Sequence, residues 1–284
     1  MVSALQPQRR SRRLQVINAA VLGSPIGHSL SPLLHKRAYE ILGIPANYQA
    51  IELTPANAYA FFSRALVENW TGFSLTMPLK ETIFDLTDEL DFQIEPMARR
   101  IRSANTLIRE GSTFRAISTD CSGFARLLSN CKKERVAIIG GGGTARAALG
   151  ALDGDALEID FLLRSAERSN LLSTIALTSK LGFFDMRHPL EGYDLVISTV
   201  PEGASDAIAR ILEFQIPVFC EVLYNPYPTE LLAKAMSLGG ETIDGMDLLV
   251  EQALDQIVEF SQCIFDFDLM RQELLTTGRR HLSQ

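Results

Sequence analysis

Residues 136–146 read VAIIGGGGTAR, an apolar run followed by four glycines and a run of small residues. The apolar run is typical of a buried strand, and a helix is predicted from Thr144 to Leu152. Gly140, Gly142 and Ala145 fit the pattern G-x-G-x-x-A, whose glycines allow a tight turn and a close backbone approach to a pyrophosphate. The stretch predicts a dinucleotide site. A purely structural glycine turn is the alternative.

The next predicted strand, Leu157 to Leu163, bears on which cofactor binds. It is followed by Arg164 and Arg168, whose planar guanidinium groups suit a 2′-phosphate, so we expect NADP(H). Asp160 lies about 20 residues past the glycines, where an NAD-binding acid is expected, but it falls in the middle of the strand. Glu167 is the other conceivable ribose acid. The alternative is that both arginines are surface charges.

Upstream of the glycines, strands and helices alternate, which predicts a mostly parallel sheet with helices on both faces. The predicted order is strand Val16–Leu22, a helix from Ser31 to Gly43, strand Tyr48–Leu53, helix Ala56–Glu68 and strand Gly72–Thr76. Downstream we predict strands Asp194–Ser198 and Val218–Leu223 and helices Asp247–Gln262 and Phe267–Leu275. The predicted fold class is therefore α/β.

Composition argues against several classes of protein. With 46% hydrophobic and 21% charged residues, the 284-residue chain is globular. Its net charge of −7 becomes −11 without the arginines of the N-terminal tail, so we expect no nucleic-acid partner. No apolar run approaches the roughly 18 residues of a membrane span. Ser11-Arg12-Arg13 faintly resembles an export signal, but we expect the following apolar run to be a strand and the protein to be cytoplasmic.

Cysteines and histidines offer no metal site by their spacing. The four cysteines are expected to be free thiols, with Cys121 a small packed side chain. We expect His35 to be half buried and His28 to be a polar residue at a helix entry. Trp70 is expected at the core or at a domain edge. Three apolar residues are predicted to lie in the core: Met246, Phe260 and Phe265.

Four polar residues of the first half are candidates for chemistry. Ser29 and Ser31 place two hydroxyls at a strand-to-helix turn, a natural clamp for a carboxylate, although Ser31 alone would suit a helix cap. Lys80 follows an apolar stretch and could take or give a proton in a cleft. Asp120 could hold Lys80 together with a substrate hydroxyl. The alternatives are a surface lysine and an aspartate that caps the next helix.

The order of these motifs resembles the shikimate dehydrogenase family, from about Val21 to Ala253. The matching elements are Ser29-x-Ser31-Pro32, Thr76-x-Pro78-x-Lys80, Ala104-Asn105-Thr106, Thr119-Asp120, the glycine loop with Arg146, Tyr224 with Pro226 and Thr229, Asp244-Gly245, and Gln252. Each motif is short, but all of them in this order are specific.

The resemblance implies a reversible, NADPH-dependent reduction of 3-dehydroshikimate to shikimate in the chorismate and aromatic amino acid pathway. It implies that Lys80 and Asp120 form the catalytic pair at the C3 oxygen. Substrate contacts are implied for Ser29, Ser31 and Tyr224 at the carboxylate and for Thr76, Asn105 and Gln252 at the ring hydroxyls. Cofactor contacts are implied for Gly140, Gly142, Gly143, Thr144, Ala145, Arg146, Arg164, Arg168 and Thr199.

The resemblance also implies two domains. We expect a substrate-binding catalytic domain over 19–120 and 248–284, to which the C-terminal helices return, and a Rossmann-type NADP-binding domain over 121–247. A disordered basic tail is expected over 1–18, overlapping the start of the first strand. Both reactants would lie in a cleft between the domains, and the enzyme would be a monomer or a homodimer.

Several positions depart from the family pattern. Ser74 replaces Asn, Ile117-Ser118 replace Asp-Asn, Leu163 replaces Asn, Glu221 replaces Asp, and Asp247 replaces Gly. These departures leave two alternatives open. One is a quinate/shikimate dehydrogenase that uses NAD. The other is a non-catalytic paralogue that senses shikimate or NADP.

Overall fold

A computed structural model describes residues 16–283 of the chain, which divides into two compact units. The first unit is Met1–Thr119 with Leu249–Gln284, and the second is Asp120–Leu248. The predicted tail lies outside the described residues up to residue 15. At its other end the prediction was wrong, because Ile17 and Asn18 already belong to the first strand.

Two six-stranded sheets form the framework of the two units. The strands of the first unit are β1 (Ile17–Gly23), β2 (Ala46–Glu52), β3 (Gly72–Leu75), β4 (Gln93–Ile94), β5 (Thr106–Glu110) and β6 (Thr113–Ile117). Those of the second are β7 (Arg135–Ile139), β8 (Glu158–Leu163), β9 (Lys180–Asp185), β10 (Leu195–Ser198), β11 (Val218–Glu221) and β12 (Glu241–Ile243).

The helices occupy the connections between strands. They are α1 (Ser31–Leu42), α2 (Pro55–Ala65), α3 (Leu79–Thr82), α4 (Thr87–Leu90), α5 (Pro96–Ile101), α6 (Thr119–Leu127), α7 (Gly143–Leu152), α8 (Ser169–Ile175), α9 (Asp206–Ile211), α10 (Glu230–Ser237), α11 (Gly245–Ser261) and α12 (Phe267–Leu282). A short 3₁₀ turn covers Ala166–Arg168.

The first sheet has the order β2-β1-β3-β5-β6-β4. β1 pairs in parallel with β2 and β3, and β4 pairs in parallel with β6, whereas β5 runs antiparallel to both of its neighbours. Its core includes a cluster of aromatic rings from α2, β3 and β6, among them Phe62, Phe73 and Phe114. The prediction of a mostly parallel sheet is confirmed, whereas the β5–β6 hairpin was not predicted.

The second sheet is parallel throughout, with the order β12-β11-β10-β7-β8-β9. The strand order reverses at β7, so the connections after β7 and β10 leave opposite sides of the same crevice. In open parallel sheets ligands bind at that switch point, beyond the carboxyl ends of the strands. The glycine loop follows β7 directly and therefore lies at the expected ligand position. The predicted α/β class with a Rossmann-type unit is confirmed.

Burial of individual residues agrees with most core predictions. Met246, Phe260 and Phe265 are buried, as expected. The prediction for His35 was wrong, because the residue is 0% exposed. A neutral imidazole can be buried when both ring nitrogens are hydrogen-bonded, and those of His35 bond to Tyr39 and Gln256.

The C-terminal helix was predicted to end at Leu275 but continues to Leu282. Thr276, Thr277 and Gly278 are poor helix formers, which favoured the early end. In the structure the two threonine hydroxyls donate to carbonyls four residues back, and Gly278 is buried. Tertiary packing therefore overrides propensity here.

Within residues 16–283, no helix is both long and apolar enough to cross a membrane.

Candidate active site

Residues predicted to contact the substrate lie beyond the carboxyl ends of β1 and β3 in the first unit. A Cβ atom on Gly23 would lie 2.3 Å from Thr76 Cγ2, so the glycine admits Thr76 at the end of β1. The Leu75 amide donates to the Asn105 carbonyl at 2.7 Å, and the Ala104 amide donates to the Lys80 carbonyl at 3.0 Å. These backbone bonds bring together the segments that carry Thr76, Lys80 and Asn105.

The serine pair lies at the start of α1. Ser31 is the first residue of the helix, and its amide donates to Ser29 Oγ at 3.4 Å. The residue at the cap position is Leu30, which makes no capping bond. The alternative reading of Ser31 as a cap was therefore wrong, because the bond to the helical amide comes from Ser29.

Asn105 is the centre of a tight polar cluster. Its Oδ1 accepts from the Thr119 amide at 2.6 Å, while its Nδ2 donates to Thr119 Oγ1 at 2.9 Å and to Gln252 Oε1 at 3.2 Å. Both amide hydrogens of Asn105 are thus engaged, and the residue is 2% exposed. A substrate hydroxyl that bonds to Asn105 would exchange with one of these partners.

Four residues of the same polar cluster had no predicted role at the site: His35, Tyr48, Thr106 and Gln256. Gln256 is fully buried and contacts Ser74, Thr106 and Asn105. It lies four residues after Gln252 on α11, which places both side chains on one face of the helix. That spacing is the signal that could have found it.

Lys80 and Asp120 each begin a helix. Lys80 is the second residue of α3 and is partly exposed, and Asp120 is the second residue of α6 and is 4% exposed. Asp120 falls in the second unit and Lys80 in the first. Ser118 is one of the positions that differ from the family pattern. Its buried hydroxyl has no hydrogen-bond partner among residues 16–283. The start of α6 is held instead by the bond from the Thr119 amide to Asn105.

The glycine loop in the second unit is shaped for close backbone approach. Gly140 has a φ of +109°, a region that side-chain-bearing residues rarely adopt. Gly142 precedes α7, and Gly143 and Thr144 supply its first turn. The start of the helix directs backbone amides and a partial positive charge toward the loop. This geometry fits a pyrophosphate.

The arginines after β8 lie beside that loop. Arg164 and Arg168 are both exposed, and a Cβ atom on Gly141 would lie 3.2 Å from Arg168 Cδ. The Arg168 stem therefore packs against the glycine loop. Asp160 is held elsewhere, because its carboxylate accepts from the Tyr193 hydroxyl at 2.6 Å. The surroundings favour a 2′-phosphate over a ribose bound by Asp160.

Arg146 differs from the other cofactor candidates. It lies in the first turns of α7 and is only 2% exposed. Ala145 beside it is fully buried, as expected for the small third residue of the motif.

The loop that carries Tyr224 is fastened by Glu221. The Glu221 carboxylate is fully buried and accepts from the Leu223 amide at 3.2 Å and from Thr229 Oγ1 at 3.0 Å. Burial raises the pKa of Glu221 above its usual value, although these bonds oppose the shift. Glu221 thus closes the loop around Tyr224, which is partly exposed.

Asp247, like Glu221 a departure from the family pattern, also has a structural role. The Asp244 amide donates to Asp247 Oδ2 at 3.0 Å, and the Asp247 amide donates to Asp244 Oδ1 at 3.2 Å. The two carboxylates reciprocally cap the start of α11.

The four cysteines are free, and residues 16–283 contain no cluster of three or more acidic, histidine or cysteine side chains able to hold a metal ion.

Comparisons with known proteins agree on one family. A family profile described as "Shikimate dehydrogenase substrate binding domain" matches residues 21–107. The protein named shikimate dehydrogenase (NADP(+)) of Rhizobium rhizogenes is 32% identical over 263 residues, covering 86% of this chain and 88% of that protein.

Solved structures give the same result. The crystal structure of Mycobacterium tuberculosis shikimate dehydrogenase superposes with a TM-score of 0.81 and 31% identity, covering 92% of this chain and 99% of that one. Shikimate 5-dehydrogenase of Thermus thermophilus, in complex with shikimate, has a TM-score of 0.81 and 26% identity, covering 94% and 100%.

Proposed function

The chain belongs to the shikimate dehydrogenase family, and from this premise we propose that it catalyses the reversible, NADP-dependent interconversion of 3-dehydroshikimate and shikimate. This step belongs to the chorismate and aromatic amino acid pathway. The observation that carries the proposal is the coexistence of Lys80, Asp120 and the Asn105–Gln252 pair with a dinucleotide loop in one chain.

The second unit supplies the cofactor residues. The positive φ of Gly140 and the backbone amides at the start of α7 suit the pyrophosphate. Arg168, which packs on the loop, and Arg164 would pair with the 2′-phosphate, which supports NADP over NAD. When bound, NADPH supplies the hydride for the C3 carbonyl carbon.

The first unit supplies the substrate residues. Ser29 and Ser31 at the start of α1 would bind the carboxylate, assisted by Tyr224 from the second unit. Thr76 and the Asn105–Gln252 pair would bind the ring hydroxyls. Because these groups are fixed by backbone and amide bonds, the ring would be held in one orientation, and such orientation accelerates the reaction.

Proton transfer would fall to Lys80 and Asp120. Reduction of the C3 carbonyl to an alcohol adds one hydride to the carbon and one proton to the oxygen, and these residues would supply the proton. The Lys80 ammonium would give that proton and take it back in the reverse direction. Asp120 would orient Lys80 and the substrate hydroxyl.

An absorbance assay at 340 nm tests the proposal, with shikimate or quinate as substrate and NADP or NAD as cofactor. We expect turnover of shikimate with NADP to exceed the other three combinations. Preferred turnover of quinate with NAD would replace the proposal with the quinate alternative. Tight shikimate binding by calorimetry without any turnover would indicate a sensor.

We propose that the enzyme acts in a reducing compartment, the cytoplasm, because all four cysteines are free thiols. It would act as a monomer or a homodimer, which light scattering of the purified protein would distinguish.

A further inference from the structure

The amide of Gln256 lies at the centre of a buried chain of hydrogen bonds in the first unit. Its Nε2 donates to Thr106 Oγ1 at 2.9 Å and to the Asn105 carbonyl at 3.3 Å. Its Oε1 accepts from Ser74 Oγ at 2.8 Å and bonds to His35 Nε2 at 3.2 Å. A glutamine amide has two donors and two acceptor positions, so this one is fully used.

The carbonyl of Asn105 fixes the direction of the chain. A carbonyl can only accept, so Gln256 Nε2 must face it and Gln256 Oε1 must face the opposite side. His35 must then donate through Nε2, and in a neutral ring Nδ1 accepts from the Tyr39 hydroxyl at 3.0 Å. Burial lowers the pKa of His35 to about 3, which agrees with a neutral ring of this tautomer.

Ser74 and Tyr48 continue the chain on the side of the serine pair. The single proton of Ser74 goes to Gln256, so its oxygen accepts from the Tyr48 hydroxyl at 2.7 Å. The Tyr48 proton is thereby used as well, and Tyr48 also bonds to Ser31. Ser74 and Tyr48 can therefore accept a hydrogen bond from a ligand but cannot donate one to it.

Thr106 and Asn105 continue the chain on the other side. Thr106 accepts from Gln256, so its own proton goes to Asn105 Oδ1 at 3.4 Å or to Thr119 Oγ1 at 3.2 Å. Gln256 is thus bonded directly to the Asn105 backbone and, through Thr106, to its side chain. The Asn105 amide nitrogen then donates to Gln252 Oε1 and to Thr119 Oγ1.

From this geometry we propose that Gln256 is a positioning residue that orients the Asn105–Gln252 pair for the substrate ring without touching the substrate. The role rests on the proposed function. A fully satisfied buried network is rigid, and removing its central member leaves several partners unpaired. All of its bonds lie in the first unit, so the cofactor residues are outside it.

Steady-state kinetics of Gln256→Met test the proposal, because methionine keeps the length and apolar stem but removes every bond. We expect the KM for shikimate to rise by about tenfold, the effect of one lost net hydrogen bond. The KM for NADP and kcat should change by less than about threefold. Glu259→Gln is the matched control, since Glu259 lies on the same helix and pairs with Arg115 outside the network.

A folded Gln256→Met enzyme with an unchanged KM for shikimate would overturn the proposal. An equal rise in the KM for shikimate and the KM for NADP would also overturn it. Thr106→Val serves if the methionine variant does not fold. It removes the bonds of the Thr106 hydroxyl to Gln256, Asn105 and Thr119 but keeps the bond from Gln256 Nε2 to the Asn105 carbonyl. It should raise the same KM by a smaller factor.

A spectroscopic arm is independent of turnover. Nitrogen-15 NMR of His35 in the unmodified protein at pH 7 should show a neutral ring protonated at Nε2. A neutral ring protonated only at Nδ1 would disprove the direction of the chain and the proposal with it, because its Nε2 could not donate to Gln256 Oε1. Absence of shikimate turnover in the unmodified enzyme would instead refute the proposed function, so the two failures are distinct.

Discussion

Gly140 and Thr199 lie so close together that a Cβ atom on Gly140 would be 2.5 Å from the Thr199 hydroxyl oxygen. That hydroxyl donates to the Ile139 carbonyl at 2.8 Å, which joins the ends of β7 and β10. Gly140 also has a φ of +109°. Position 140 therefore excludes a side chain for two separate reasons, the backbone conformation and the neighbouring hydroxyl.

Gly140→Ala should weaken NADP binding by at least about tenfold, since the loop must shift to relieve the contact with Thr199. We also expect a loss of stability of about 1–2 kcal/mol or more from the unfavourable φ. Calorimetric titration with NADP and thermal unfolding of the same samples would measure both effects.

Gly154→Ala is the matched control for this experiment. Gly154 has a φ of +110°, but the nearest atom to a Cβ there is Thr178 Oγ1 at 3.9 Å. The control should lose stability by a similar amount and keep its affinity for NADP. Equal affinities in both variants would show that the close approach at Gly140 has no bearing on the cofactor.

Arg168→Ala should lower the preference for NADP over NAD. The Arg168 stem packs on Gly141, and its guanidinium would pair with the 2′-phosphate that NAD lacks. We expect the KM for NADP to rise by about 10-fold to 100-fold, the effect of losing a charge-assisted bond of about 1.5–3 kcal/mol, with little change for NAD.

Asp160→Asn is the comparison for cofactor choice, because Asp160 has the sequence spacing of an NAD acid but bonds to Tyr193. Its ratio of specificity constants for NADP and NAD should equal that of the unmodified enzyme. A shift toward either cofactor would place Asp160 at the ribose after all.

Local sequence patterns predicted the turn from β7 to α7 in the second unit well, because the signals for it are local. The apolar run of β7, the glycines and the small residues of α7 are contiguous, and each favours the same βα turn. The β5–β6 hairpin was harder to predict. Its strands have five residues each, and thirty residues separate β5 from β3, the strand with which it pairs.

The buried polar network could not be predicted from periodicity at all. Gln256 and Thr106 are 150 residues apart in sequence, and Asn105 and Gln252 are 147 apart. Single-segment patterns describe which face of an element is apolar, and His35, Ser74 and Gln256 are polar residues on buried faces. Their burial is possible only because the folded chain satisfies each hydrogen-bonding group.

Lys80→Met should lower kcat by about 10²–10⁴-fold, the usual contribution of a general acid or base, while NADP affinity stays unchanged. Methionine keeps the stem of the partly exposed Lys80 and removes its ammonium. Lys36→Met, at an exposed position of α1, is the control and should keep full activity. Should Lys80→Met turn over shikimate at the normal rate, Lys80 would have no part in proton transfer.

Acid should destabilise the first unit through His35. Burial lowers the pKa of the folded His35 to about 3, whereas the unfolded side chain titrates near its ordinary value of 6.5. The contribution to stability is therefore fully present above about pH 6.5 and is lost as the pH falls toward 3, because only the unfolded chain binds the proton. Each pH unit in this window should cost about 1.4 kcal/mol.

Urea unfolding followed by the fluorescence of Trp70 measures this loss, since Trp70 is the only tryptophan and lies in the first unit. His35→Gln should be less stable at pH 7, because the network loses a partner, but its stability should fall less steeply between pH 6.5 and 4. His281→Gln, at an exposed position, should keep the slope of the unmodified protein. Parallel slopes for His35→Gln and the unmodified protein would mean that the folded His35 is charged, so that its Nδ1 would donate to the Tyr39 hydroxyl rather than accept from it.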